Sequence, residues 1–214
     1  MERTYSLEQL ANLLLIVADE IVANRERLTE IDSKLGDGDM GVSMDKAAQA
    51  LVKTVKESEE TLPGKLLIQC GMAINRAAPS TLGTLLSVGF MAVGKEMGGS
   101  ALIAESFVAR APMVLANAIS LRGKAKEGDK TILDALYPYS RTLEDRYKET
   151  KDLAQAAAWA ANAAQAGMES TKGKAAKMGR AKWLGERNME WPDGGAWLFA
   201  AVAQRLTQEE RENP

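Results

Sequence analysis

The chain has 214 residues, 46% of them hydrophobic, which is enough for one large core, and no linker-like stretch argues for two, so a single domain over 1–214 is expected. Lysine and arginine number 27 against 29 aspartates and glutamates; the formal charge of −2 offers no global field to nucleic acid or to an anionic membrane, so any anion site must be local. No run reaches transmembrane length and Met1 to Gln9 lacks a signal-peptide pattern, from which a soluble cytoplasmic protein is expected.

In chain order, Leu7, Leu10, Leu14, Val17 and Ile21 recur at helical spacing, and Ser6 with Gln9 forms a capping box at the start of that stripe. Then comes Ile31-Asp32-Ser33-Lys34-Leu35-Gly36-Asp37-Gly38-Asp39-Met40-Gly41, with three aspartates among glycines. Asp and Gly make turns, but they also make cation sites. Three carboxylates so close repel one another, and hard oxygen ligands on a glycine-opened backbone suit Mg²⁺ or Ca²⁺. An EF-hand starting at Asp37 fails, because its sixth position would be Val42 where glycine is needed and its twelfth Ala48 where glutamate is needed.

A second helical stripe, Met44, Ala48, Leu51 and Val55, starts directly after the cluster, so the free N–H groups of its first turn favour an anion at the same spot. Further helices are predicted at about 65–76, 81–97, 101–121, 130–147, 151–171 and 194–208. Cys70, the single cysteine, excludes an internal disulfide and lies among apolar neighbours as a core residue. Between helices, Arg122-Gly123-Lys124-Ala125-Lys126-Glu127-Gly128-Asp129-Lys130-Thr131 is basic, with Asp129 as a cap for the next helix. It is no Walker A loop, since its order is Gly-Asp-Lys-Thr and no strand precedes it. Residues 172–195 hold Lys172, Lys174, Lys177, Arg180, Lys182 and Arg187, either a solvated loop or a phosphate-recognising one. Trp183, Trp191 and Trp197 are read as packing residues. With 5% aromatic residues and alanine dominating 154–166, strands are not expected; about eight helices with short connections make an all-α antiparallel bundle.

The segments Gly36-Asp37-Gly38-Asp39-Met40-Gly41, Arg122 to Asp134, and Gly179-Arg180-Ala181-Lys182-Trp183-Leu184-Gly185-Glu186-Arg187, with Asp193-Gly194-Gly195-Ala196 after them, together resemble the nucleotide-binding L subunit of dihydroxyacetone kinase. The resemblance covers nearly the whole chain. It implies an eight-helix antiparallel barrel that binds ADP or ATP at one end through two Mg²⁺ ions held by Asp32, Asp37 and Asp39. It further implies that Met40, Gly41, Val42 and Ser43 meet the phosphates, with Ser80, Thr81 and Leu82 on the next loop. Gly123 and Ile132 would lie along the adenine, Arg180 near the phosphates or base, and Asp193 with Gly194 at the closing loop. Two departures stand out: Ala78-Pro79-Ser80-Thr81-Leu82-Gly83 replaces a Gly-Gly-Ser-Ser-Gly type of loop, and Asp193-Gly194-Gly195 replaces Asp-Pro-Gly. Proline removes an N–H donor and restricts the backbone, so fewer or differently placed phosphate contacts are expected there.

The chain contains no histidine. In the resembling kinases the ketose is held covalently on a histidine of a K subunit or domain, so the resemblance implies a phosphoryl-donor component that acts with such a partner. Two modes stay open, free ATP exchange or bound ADP rephosphorylated by a phosphotransferase-system protein, as does a homodimer. The alternative from another class is a non-catalytic, nucleotide-loaded regulator that docks on a transcription factor.

Overall fold

The computed structural model describes residues 2–179, 181–183, 185 and 189–212. Helix α1, Leu7–Ala23, starts with the expected capping box: Gln9 N–H donates to Ser6 Oγ at 3.2 Å and Ser6 N–H to Gln9 Oε1 at 2.8 Å. It ends at Asn24, whose amide side chain turns back to the Glu20 carbonyl, and α2, Arg25–Leu35, begins at once. The remaining helices are α3 (Met40–Glu57), α4 (Pro63–Ala77), α5 (Thr81–Met97), α6 (Glu105–Gly123), α7 (Leu133–Thr150), α8 (Leu153–Glu169) and α9 (Gly194–Glu212). Strand β1, Thr4–Tyr5, pairs antiparallel with β2, Ile103–Ala104.

Each helix from α3 to α7 packs against the next one in sequence, α8 packs against α9, α9 packs on α1, and α1 packs on α3. The result is a closed ring of eight helices, with α2 set against α3 and α9 at one end. Residues 58–62, 78–80 and 151–152 are the connections between α3 and α4, α4 and α5, and α7 and α8. A helix of 15 residues or more rises over about 22 Å, farther than links this short reach back along the helix, so these neighbours run antiparallel.

Apolar faces fill the ring in three patches. One gathers Leu14, Leu28, Met44, Leu51, Leu67 and Cys70, and each of its fully buried large side chains contributes about 1.5–3 kcal/mol of transfer free energy. The second is built from small residues of α8, Ala156, Ala160 and Ala164, against Tyr139 and Leu143 of α7. The third, Ile119, Ile132, Leu133 and Leu136, lies near the aspartate end. Burial pushes the Cys70 thiol up to about 12, which fits a core residue and not a nucleophile.

Three features differ from the sequence expectation. Helix α2 is absent from the periodic pattern, since only Leu28, Ile31 and Leu35 of its eleven residues are buried and the rest of the segment is polar. Helix α7 starts at Leu133, not 130, because Lys130 adopts a left-handed backbone with φ of 60°. The short β1–β2 pair, where no strand is expected, ties the chain's start to the entrance of α6. Among the described residues no helix is long and apolar enough to cross a membrane.

Candidate metal and nucleotide site

Asp32 sits on the last turn of α2, and its Oδ2 accepts the Met40 N–H at 3.2 Å, so this carboxylate joins the end of α2 to the start of α3. The chain between them turns on Gly38, with φ of 76°. Asp32 is partly buried, and Asp37 and Asp39 are exposed. Each of the three offers a carboxylate oxygen, and these oxygens lie within 4.8 Å of one another. At that spacing each pair of charges repels by about 1 kcal/mol even at the dielectric constant of water. A divalent cation reverses the sign of that balance, and an all-oxygen donor set suits Mg²⁺ or Ca²⁺ over softer metals.

The site is held by close helix contact. A Cβ on Gly41 would collide with the Arg25 carbonyl oxygen and with Thr29 Oγ1, so glycine is what lets α3 start directly against α2. The next residue, Val42, is 38% exposed, and both N–H groups belong to the helix turn that has no internal acceptors. Ser43 Oγ donates to Ser80 Oγ at 2.8 Å. Ser80 is the N-cap of α5, accepting from Gly83 N–H at 3.1 Å, with Thr81 exposed and Leu82 packed into the core. Two helix N-termini, those of α3 and α5, thus meet beside the aspartates. Pro79 is exposed ahead of the cap.

Residues 124–132, 170–179 and 189–193 form the other side. Ile132 is buried, and a Cβ on Gly195 would lie 3.2 Å from the Ile132 Cβ. Gly194 opens α9 with Met40 Sδ 2.7 Å from where its own Cβ would be. The Asp193 N–H donates to Thr171 Oγ1 at 3.0 Å, and Asp193 Oδ1 caps α9 by accepting from Ala196 N–H at 2.7 Å. Burial, reinforced by the nearby Asp134 carboxylate, pushes the Asp193 carboxyl up to about 7 despite the Ala196 N–H and the Lys130 charge. Gly123 closes α6 beside Leu85 of α5.

Met40, Ser43, Ser80, Ile132, Asp193 and Gly194 therefore gather around the same end of the ring as the three aspartates, whereas Arg180 lies outside the described residues. Two expectations are corrected. Asp129 does not cap α7: it accepts from Lys126 N–H and from Lys177 Nζ, while Asp134, in the first turn of α7, takes the N–H groups of Gly128 and Thr131 at 2.9 Å each. Burial works against the charge on Asp129, but those Lys126 and Lys177 contacts outweigh it and hold its carboxyl below the usual range. Trp183 is not a packing residue, being 84% exposed; Trp197 packs on the core, and Arg27 lies 5.9 Å from the ring centre of Trp191 and 6.0 Å from that of Trp197. Lys130 and Thr171 are buried polar groups that the sequence pattern does not reveal. Asp134 has a readable signal, an acidic residue in a first helical turn.

The DAK2 domain model matches residues 34–208, which takes in Asp37 and Asp39 and leaves Asp32 just outside. The chain is 32% identical over 191 residues to the L-erythrulose kinase of Pectobacterium atrosepticum, covering 88% of this chain and 32% of that one. It is 32% identical over 189 residues to the ADP-binding subunit DhaL of PEP-dependent dihydroxyacetone kinase 2 of Listeria innocua, covering 85% and 86%. The dihydroxyacetone kinase of C. freundii, solved with AMP-PNP and Mg²⁺, superposes with a TM-score of 0.73 at 25% identity, over 98% of this chain and 35% of that one. The chain thus spans about a third of the length of some relatives and most of a DhaL subunit. With a helical ring, an aspartate triad at its end and a family match across most of its length, the chain belongs to the DAK2 domain family.

Proposed function

We propose that this chain is the nucleotide-binding, phosphoryl-donating part of a small-ketose kinase of the dihydroxyacetone type, one domain over its whole length. The observation that carries the reading is the convergence of Asp32, Asp37 and Asp39 beside the first turns of α3 and α5. The ADP-binding name of the Listeria relative and the AMP-PNP and Mg²⁺ of the C. freundii neighbour support it.

In this reading Asp32, Asp37 and Asp39 hold two Mg²⁺ ions. When bound, the metal would supply positive charge to nucleotide phosphates and to the transferred phosphoryl group. Backbone groups of Met40, Gly41 and Val42 and the hydroxyls of Ser43, Ser80 and Thr81 orient the phosphates. Leu82, Gly123 and Ile132 border the adenine, Arg180 meets phosphate or base, and Asp193 with Gly194 closes the site. The chain has no histidine for anchoring a ketose carbonyl, so the acceptor is held on a K-type partner, as a separate chain or a joined domain. The PEP-dependent name of the Listeria subunit favours ADP kept as a coenzyme and rephosphorylated in place by a phosphotransferase-system protein.

Calorimetry with ADP or ATP, in Mg²⁺ and in chelator, tests the binding. The purified chain alone produces no sugar phosphate, and adding a K-type partner with a panel of ketoses restores transfer. Equal nucleotide affinity with and without divalent cation would refute the metal assignment. The Pro79 departure keeps a second reading in play, a nucleotide-loaded regulator docking on a transcription factor, and it is favoured if nucleotide binds but no partner elicits transfer.

A further inference from the structure

Asp45 is buried on α3, at 8% exposure, and no step above uses it. A carboxylate taken out of water is costly unless it is paired and hydrogen-bonded. Its Oδ2 lies 3.5 Å from Arg25 Nη1, at the start of α2, and accepts from Gln49 Nε2 at 3.1 Å. Asp45 comes one helical turn after Gly41, so the two share a face of α3. Arg25 meets both of them. Its carbonyl oxygen fills the space that a Cβ on Gly41 would need, and its half-exposed guanidinium reaches on to Asp45.

Arg25, Thr29 and Asp32 form one stripe of α2, since positions i, i+4 and i+7 of a helix fall on the same side. The Thr29 hydroxyl donates to the Arg25 carbonyl at 3.1 Å and crowds the same glycine. Asp32, about two turns beyond Arg25, accepts the Met40 N–H. Gly41 is therefore the point where the two helices press together. On α3, Met40 precedes that point and is held by Asp32; Asp45 follows it and is held by Arg25. A rocking of α2 about Gly41 carries Asp32 away from Asp37 and Asp39 unless the Arg25 end is fixed.

Apolar packing offers little to fix it, because only Leu28, Ile31 and Leu35 of α2 are buried. The tolerance at the other end is small. Asp32 Oδ1 lies 2.8 Å from where a Gly36 Cβ would be, and an Asp32 oxygen has to stay within 4.8 Å of those of Asp37 and Asp39. Mg²⁺ asks for near-ideal octahedral geometry at about 2.0–2.1 Å, so a small displacement of one ligand weakens the whole set.

Resting on the proposed metal site, we infer that Asp45 is a positioning residue: by holding Arg25 it fixes the seat of α2 on α3 and so places the Asp32 carboxylate against Asp37 and Asp39. Asp45 touches neither metal nor phosphate in this scheme.

The test uses the full chain and its variants Asp45→Asn, Arg25→Gln, Arg25→Lys and the double variant Asp45→Asn with Arg25→Gln. Mn²⁺ affinity is read by electron paramagnetic resonance. Hydrogen exchange is read at the Met40 amide, which has no acceptor within its own helix and so reports on the Asp32 contact. Asp45→Asn and Arg25→Gln are each expected to weaken Mn²⁺ binding by about threefold or more and to speed Met40 exchange. The double variant should lose no more than the weaker-binding single one, and Arg25→Lys, which keeps the charge, should bind like the parent. Leu143→Ala, in the second core patch, lowers stability without touching α2, and while folded it should leave both readouts unchanged. If Asp45→Asn does not fold, the half-exposed Arg25 decides the matter. Parent-like Mn²⁺ affinity and Met40 exchange in folded Arg25→Gln overturn the inference and leave the metal site standing. Equal losses in Arg25→Lys or in Leu143→Ala overturn it as well. A parent chain that binds no Mn²⁺ fails at the earlier step, and overturns the metal assignment together with the inference built on it.

Discussion

Ser43 and Ser80 share one hydrogen bond, 2.8 Å between hydroxyl oxygens, and through it the first turn of α3 is fastened to the N-cap of α5. Ser80 simultaneously accepts the Gly83 N–H, so one hydroxyl serves two helix starts. Ser80→Ala should destabilise the chain by about 1 kcal/mol through loss of the cap, a fall of roughly 2–4 °C in Tm for a chain of this size. Ser43→Ala should cost less, and the double variant less than the sum, because both remove the shared bond. Chemical denaturation of the four species of the cycle measures this, and strict additivity would contradict the shared bond.

Asp37→Asn and Asp39→Asn should each leave thermal stability in chelator unchanged or higher, since each removes like-charge repulsion within the triad. Adding Mg²⁺ should raise the Tm of the parent and not that of either variant. Nucleotide affinity in Mg²⁺ should drop by more than about tenfold in each, the equivalent of roughly 1.4 kcal/mol. Paired melts with and without chelator give the first result and calorimetry the second.

Gly41→Ala places a methyl against the Arg25 carbonyl and Thr29, neither of which can step aside without moving α2. Destabilisation of about 1–3 kcal/mol is expected, as for other overpacked contacts. Because Asp32 rides on α2, the same variant should bind Mn²⁺ more weakly. A stable variant with parent-like Mn²⁺ affinity would show that the contact is not what spaces the two helices.

Asp193 gives the chain a pH dependence of defined sign. Its folded carboxyl is raised to about 7 from an ordinary 3.8, so between those values the folded state holds a proton that the unfolded state has released. Stability contributed by this group is therefore fully present below about pH 4 and declines as pH rises toward 7. Asp193→Asn keeps the oxygen that caps α9 and removes the titration. Its Tm relative to the parent should improve on going from pH 5 to pH 8; a parallel pair of profiles would mean that Asp193 ionises normally in the folded chain.

Features with a local cause are legible in the residues alone. The capping box at Ser6 and Gln9 is a four-residue rule, and the α5 limits come from an apolar run between Ser80 and Gly98. The aspartate cluster is legible because its composition is costly without a cation. Helix α2 is not, because three buried residues in a polar segment carry little periodic signal, and so Asp32 looks like a loop residue when it is helical. Lys130 is hidden for another reason. A lysine in a basic run reads as solvated, and only the fold brings the Lys174 and Trp191 carbonyls, both more than forty residues away in sequence, to its Nζ. Trp183 misleads in the opposite direction, an aromatic side chain that finds no core.

Closing the ring through α1 and α9 also decides where the chain can be tethered. Gly194 meets Met40 beside the aspartates, and Arg25 meets Gly41 there too, so α9 starts and α1 finishes at the same end. Leu7 and Glu212, at the far tips of those two helices, then both lie about 25 Å away along the barrel axis. On the proposed function, a domain carrying an acceptor and spliced to either terminus would emerge at the end of the barrel away from the aspartates. Its connector must run the height of the barrel, at least about eight extended residues, before the two reacting faces can meet.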